Sequence, residues 1–193
     1  MSCRPDYQTG VTLLELMITL AVLAIVIAIA VPASGKLIQT NQSKAVTQQL
    51  YRALQFTRAE AIKRGTRVVL CPLNRQTGRC TSDWNQSLAV FPDTNRDGTL
   101  PAPDAIVLET PPVPAGSLHM SPGNRKLIRF DAIGYSPGSM GNLTYCPRDA
   151  DTDPVVIRQL VLTLYGRVRW ARDSDGDSVV ENSRGNPVTC AGR

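Results

Sequence analysis

Three groups of residues have the types and spacing to do chemistry. The first is a run of arginines, Arg167, Arg169 and Arg172, at the end of "VVIRQLVLTLYGRVRW" (155–170) and just beyond it. Leu160, Leu162, Leu164, Val168 and Trp170 share one strand parity, and Thr163, Tyr165, Arg167 and Arg169 share the other. On an extended strand the first set is buried and the second faces solvent, which sets Arg167 and Arg169 about 6.6 Å apart on one face. Arg172 follows nearby. Such a cationic row can contact successive phosphates without reading sequence. The competing reading is a solvated strand whose arginines protect a sheet edge. Gly166 is able to seat a bulge, which would shift the parity and spoil the row.

The second group is "DTNRDGTLPAPD" (93–104). Asp93, Asn95 and Asp97 stand at positions 1, 3 and 5 of an EF-hand-type loop, with Gly98 at 6. Position 12 is Asp104, where a longer bidentate Glu is usual, and the flanks read as strands instead of helices. A plain β-hairpin connection is therefore favoured, with a Ca2+ site on Asp93, Asn95, Asp97 and Asp104 as the alternative. No other cofactor is expected. "RDSDGDS" (172–178) is another acidic turn without comparable spacing, read as solvent-exposed.

The third group is the cysteines. Cys3 precedes a long apolar run, and Cys71, Cys80, Cys146 and Cys190 follow it. Four cysteines allow three pairings. In an extracytoplasmic compartment they read as two disulfides, and Cys71–Cys80 with Cys146–Cys190 is the preferred set. The first closes a short loop and the second ties the C-terminus to the body. Zinc is disfavoured because no spacing is C-x-x-C and the single histidine, His119, is remote. There is no G-x-S-x-G, P-loop or H-E-x-x-H, so catalysis has little support and the chain is read as a non-enzyme.

The elements that must position these groups follow from composition and periodicity. The chain has 193 residues, 14 Pro and 14 Gly, which favours a loop-rich β domain with one added element. A net charge of +5 permits contact with polyanions without establishing it. Aromatics at 5% argue against a broad base-stacking platform. From residue 37 to 64, Val46, Leu50, Ala53, Leu54 and Ala61 keep helical spacing, and Gly65 is a good stop. One helix is expected over about 12–64, with Pro32 and Gly35 as places to bend. After Gly65, strands are expected at 66–73, 87–91, 105–110, 126–134, 142–146 and 155–170, the last being the longest. The fold class is α+β, a long N-terminal helix packed on a C-terminal antiparallel sheet.

The first half of that helix poses a separate question. Between residues 11 and 31 the polar residues are Thr12, Glu15 and Thr19. Twenty-one helical residues span about 31 Å, the thickness of a bilayer core. A membrane anchor accounts for the length but not for Glu15. Basic flanks leave topology open, with Arg4 on one side and Lys36 and Lys44 on the other. No A-x-A cleavage site follows the run.

Gly10 followed by "VTLLELMITLAVLAIVIAIAVP" resembles the class III signal of type IV pilins and type II secretion pseudopilins. The resemblance implies cleavage by a prepilin peptidase between Gly10 and Val11, and N-methylation of Val11, where Phe or Met is usual. It makes Glu15 the fifth mature residue, which in the family attracts the N-terminal amine of a neighbouring subunit. It makes Pro32 the family's kink. The implied domains are a leader (1–10), an assembly helix (11–35), an amphipathic half (36–65) and an extracytoplasmic β domain (66–193).

Further along, "IRFDAIGYSPG", "LTYC" and "LYGRVR" resemble the FimT/GspH-type minor pilins, with Phe130 to Gly134 as a Phe-x-x-x-Gly step and Gly166-Arg167-Val168-Arg169 as Gly-Arg-x-Arg. The likeness covers nearly the whole chain. In FimT proteins the latter motif is associated with DNA binding in natural transformation. The implied function is a minor pilin that primes or joins a pilus, with Arg167, Arg169 and Arg172 contacting double-stranded DNA. The alternative is a GspH-type pseudopilin of the type II secretion system without DNA binding. Implied partners are other pilins or pseudopilins, the prepilin peptidase and the inner-membrane assembly platform. The implied location is a single pass of the inner membrane with a periplasmic C-terminal domain.

Overall fold

The computed structural model describes residues 12–148, 154–182 and 184–190. Gly10, Val11 and the leader lie outside them. Contacts divide the chain into two units, residues 1–39 and 40–193. Helix α1, Leu13–Arg64, contributes to both.

In the first unit the stretch Leu13–Ala30 has a mean hydropathy of 2.8 and buries nothing within the chain. Eighteen such residues are long and apolar enough to cross a bilayer. Its start is capped: Glu15 N donates to Thr12 Oγ1 at 3.2 Å. Thr12 is thus the N-cap, and Glu15 stands at the third helical position, where a carboxylate meets the positive end of the helix dipole.

The second unit is built on the rest of α1. Val46, Leu50, Ala53, Leu54 and Ala61 form its buried stripe. Gly65, with φ of +61°, ends the helix. Gly65 N donates to Ile62 O and Thr66 N to Ala61 O, the paired bonds of a Schellman stop.

Two antiparallel sheets follow. The first orders β2 (Arg79–Cys80), β1 (Val68–Asn74), β3 (Leu88–Pro92) and β4 (Leu108–Thr110), with β6 (Ile128–Phe130) also on β1. β3 and β4 pair across the 93–107 connection. The second orders β5 (Gly116–Ser121), β7 (Gly141–Pro147), β8 (Arg158–Leu162) and β9 (Val168–Trp170). The stripe of α1 joins Val68, Leu70, Val90 and Phe130 of the first sheet with Leu143, Tyr145, Leu160 and Leu162 of the second in one core. On the other face of the first sheet Val69, Cys71, Ala89 and Phe91 pack with Leu100 and Ile106. β1 is therefore covered on both faces, which is why its six leading residues are all buried. On the other face of the second sheet Cys146, Ile157 and Ala171 pack with Val180, Val188 and Cys190.

Both disulfides have the preferred pairing: Cys71–Cys80 and Cys146–Cys190, with Cα–Cα distances of 5.6 and 5.9 Å. The second holds the C-terminal segment on the outer face of its sheet.

Candidate functional site

The run 155–170 is a hairpin and not one long strand. A 3-10 turn at Pro154–Val156 precedes β8, and the chain reverses between Leu162 and Val168. Gly166 N donates to Thr163 O, Thr163 N to Arg167 O, and Arg167 N to Thr163 Oγ1 at 3.2 Å. Leu164, assigned by parity to the core, lies in the turn and is exposed. The alternation failed there because a turn has no strand period. The outer strand kept it: Val168 is buried and Arg169 exposed.

Gly166 is no bulge; it has a different reason to be glycine. Its φ is +71°, and a Cβ there would stand 2.0 Å from Gly134 O. Gly134 belongs to its own tight turn, where Gly134 N donates to Asp131 O and Tyr135 N to Asp131 Oδ1. Ser136 N donates to Leu164 O at 2.8 Å, and Arg58 Nε of α1 donates to Gly134 O at 3.0 Å. The Phe-x-x-x-Gly and Gly-Arg-x-Arg segments thus form one structural joint.

Arg167 and Arg169 are both exposed and share the face opposite the core residues Val168 and Trp170. Trp170 stacks on Tyr51 of α1, with centroids 5.6 Å apart. Among the described residues neither guanidinium has an ion-pair or hydrogen-bond partner. Register lines Arg169 up with Val161, Asn142 and Ser121 across the sheet. The next row is His119, Thr144 and Gln159, where Gln159 Nε2 donates to Thr144 Oγ1. Val161 apart, these rows are polar, and none of their residues is an aspartate, glutamate, lysine or second arginine. β9 is also a sheet edge, as the edge-protecting reading requires. Arg172 is exposed but falls on the opposite parity, where its backbone bridges Glu181. It does not join the row.

Of the calcium candidates, Asp93, Asn95 and Asp97 share one loop and are engaged by protein groups. Asp93 is buried and committed: its Oδ1 accepts from Gly98 N, and its Oδ2 lies 3.5 Å from Arg67 Nη1. Asn95 Nδ2 donates to Asp97 Oδ2, and Asp104 sits in a separate 3-10 turn, Pro103–Ala105. The acidic group brought together among the described residues is Asp173, Asp175, Asp177 and Glu181, with one oxygen of each lying within 4.8 Å of the others. Asp173, Asp175 and Asp177 repeat the 1, 3, 5 spacing of Asp93, Asn95 and Asp97, so 172–178 does have the comparable spacing that the sequence reading denied it. Glu181 adds to them by a return of the chain, buried, with Oε2 accepting from Ser174 N and Oγ. The backbone hydrogen bond from Gly176 above all, helped by those from Ser178 and Asp175, holds the Asp173 carboxyl below the usual carboxylate range against an opposing desolvation. His119 contacts Ser117 Oγ at 2.8 Å. Glu15 stands exposed in the apolar stretch, with the capped backbone described above.

A family model described as "Type II transport protein GspH" matches residues 46–178, and one described as "Prokaryotic N-terminal methylation motif" matches residues 6–31. No curated protein matches the chain. Among solved structures the chain is similar to the type IV minor pilin FimU of Pseudomonas aeruginosa, at 19% identity and a TM-score of 0.56, over 78% of this chain and 96% of that one. A second crystal form of FimU gives 18% and 0.52, over 67% and 92%. The minor pseudopilin EpsH of Vibrio cholerae is at 16% and 0.48, over 69% and 99%. FimU shares the fold, and the matched family span contains α1's buried stripe, both sheets and the Gly134–Gly166 joint. The chain belongs to the GspH family, as a pilin-like protein with the N-terminal methylation motif of that class.

Proposed function

We propose that this protein is a minor pilin that joins or primes a type IV pilus and captures double-stranded DNA through Arg167 and Arg169. The observation that carries the DNA reading is two exposed arginines, Arg169 on β9 and Arg167 in the turn that leads into it, free of ion-pair partners among the described residues. Successive phosphates fit such a row. The methylation-motif match supports cleavage between Gly10 and Val11 and methylation of Val11. Two disulfides favour an oxidising compartment, hence a periplasmic second unit on an inner-membrane anchor. In this reading Glu15 meets a neighbouring subunit's N-terminal amine, a pairing strengthened by low dielectric. The role is structural and binding, not catalytic.

The test is binding of a duplex DNA fragment by the full-length protein in detergent, at roughly 50 to 200 mM salt. Saturable binding that weakens with salt is expected. Arg167→Ala/Arg169→Ala should lower the salt slope by about two, one per phosphate contact. Equal binding by that double variant sinks the site. The family description "Type II transport protein GspH" favours a second reading, a type II secretion pseudopilin. It predicts no duplex binding by the wild-type protein, and neighbouring genes for a secretion machine instead of a pilus.

A further inference from the structure

Two tyrosines stand at the joint of the Gly134 and Gly166 turns. The rings of Tyr135 and Tyr165 are edge to face, with centroids 5.6 Å apart and planes at 90°. Tyr165 is 60% exposed and Tyr135 42%. Ile133 and Leu164, from the same turns, are exposed beside them, and so is Ile62, which a Gly134 Cβ would touch. Folding does not account for large apolar groups left together in solvent, and such a cluster marks an interaction surface. The turns are fixed by Ser136 N to Leu164 O and by Arg58 Nε to Gly134 O. The rings are therefore held in place before any ligand arrives, which limits the ordering cost of binding.

The neighbouring charge decides what the ligand is. Arg167 follows Tyr165 by two residues and closes the same turn through Thr163. Its guanidinium and that of Arg169 have no partner among the described residues. An apolar protein surface would leave those charges unused; a polyanion uses them. An edge-to-face pair also leaves ring faces open that a parallel stack would cover. Open aromatic faces beside cations suit a single-stranded nucleic acid, whose unpaired bases stack while its phosphates meet the guanidinium groups. A duplex offers no base face along its length.

We infer that Tyr135 and Tyr165, with Arg167, form a binding step for single-stranded nucleic acid, Tyr165 stacking an unpaired base and Arg167 holding the adjacent phosphate. This rests on the DNA-binding reading above and extends its ligand from duplex to unpaired strand.

The experiment compares an oligothymidylate of about 12 nucleotides with a duplex of the same length, using full-length protein in detergent. Tyr165→Ala should weaken single-strand binding about tenfold, Tyr135→Ala less, and Tyr165→Phe should keep it, because stacking needs the ring and not the hydroxyl. Duplex binding should stay within about twofold in all three, and the single-strand salt slope should not change, since no phosphate contact is removed. Tyr165 is exposed, and Tyr165→Phe guards against a folding artefact. Single-strand binding by Tyr165→Ala within twofold of wild type overturns the inference while leaving the duplex reading intact. No DNA binding by wild type overturns both. Intact DNA binding with lost capture of other pilus subunits would make the patch a protein-docking surface and also overturns it.

Discussion

The first turn of α1 and the joint between Gly134 and Gly166 each hold motif residues of the chain, but in opposite ways. At the start of α1 the informative residues are adjacent: Thr12 caps Glu15, three positions on. At the joint they come from three distant segments, Arg58, Gly134 and Gly166, which meet through backbone oxygens. The first arrangement depends on local geometry, so a substitution there alters one turn. The second depends on the packed unit, so a substitution there is transmitted to a helix and two turns together. Damage to stability should therefore concentrate at the joint, and damage to assembly at the helix start.

The largest expected effect is at Gly166. Alanine adds a Cβ 2.0 Å from Gly134 O, and both atoms belong to backbone that cannot rotate away. The left-handed φ of +71° adds strain of about 1 kcal/mol, and parting the turns forfeits the Ser136–Leu164 bond. Gly166→Ala should cost about 4 kcal/mol, a fall of roughly 10 °C in Tm by calorimetry. A loss under about 1 kcal/mol would mean the two turns do not touch as described.

Gly134→Ala sharpens the contrast. Its Cβ would meet Ile62 Cδ1 at 2.8 Å, the far end of a half-exposed side chain that can turn aside. Strain at φ of +81° remains, so the cost should be about 2 kcal/mol. A Gly134 loss equal to that at Gly166 would refute the distinction between backbone and side-chain obstruction. Arg58→Met keeps the packed stem but removes the donor to Gly134 O, and should cost about 1 kcal/mol in urea unfolding. Its effect should be less than additive with Gly134→Ala, since both loosen one contact.

These cases also show what a linear reading can reach. The buried stripe of α1 was legible because a 3.6 period is a local signal, and Gly65 followed it as a stop. Most strands were legible from the Pro, Gly and Asn that punctuate them, but β5 and the hairpin at 163–167 were not. "LTLYGRV" continues the alternating pattern through its own turn, and the reversal is enforced by the contact of Gly166 with Gly134, thirty-two positions away in sequence. A similar separation hid the pairing of Tyr135 with Tyr165. Aromatic content excluded a broad stacking platform, yet two rings brought together make a small one. Glu181 is close to the aspartates in sequence, but only the local return that bridges Arg172 to Glu181 turns it towards them. Thr12 is the opposite case: T-x-x-E at 12–15 has the spacing of a capping box, a signal that is wholly local.

The smallest effect on stability, and the one that separates two roles, is at Glu15. A carboxylate at the third helical position is favourable there without any partner subunit, by about 0.3–1 kcal/mol at a helix N-terminus. The inter-subunit role asks for charge, whereas the cap runs from Glu15 N to Thr12 Oγ1 and asks at position 15 only for a residue that suits the helix start. Glutamine keeps the second and removes the first, because the capping box accepts Glu or Gln. Thr12→Ala removes the cap and leaves the charge, at about 1 kcal/mol of helix stability by circular dichroism in detergent. If charge pairing drives assembly, Glu15→Gln should be left out of filaments as completely as Glu15→Ala, while Thr12→Ala is incorporated. If the helix start is what matters, Glu15→Gln should be incorporated and Thr12→Ala should fail. The pairing reading expects the first pattern, since a helix continuing to Arg64 tolerates a frayed first turn, whereas a neutral amide offers a neighbouring amine no charge to meet.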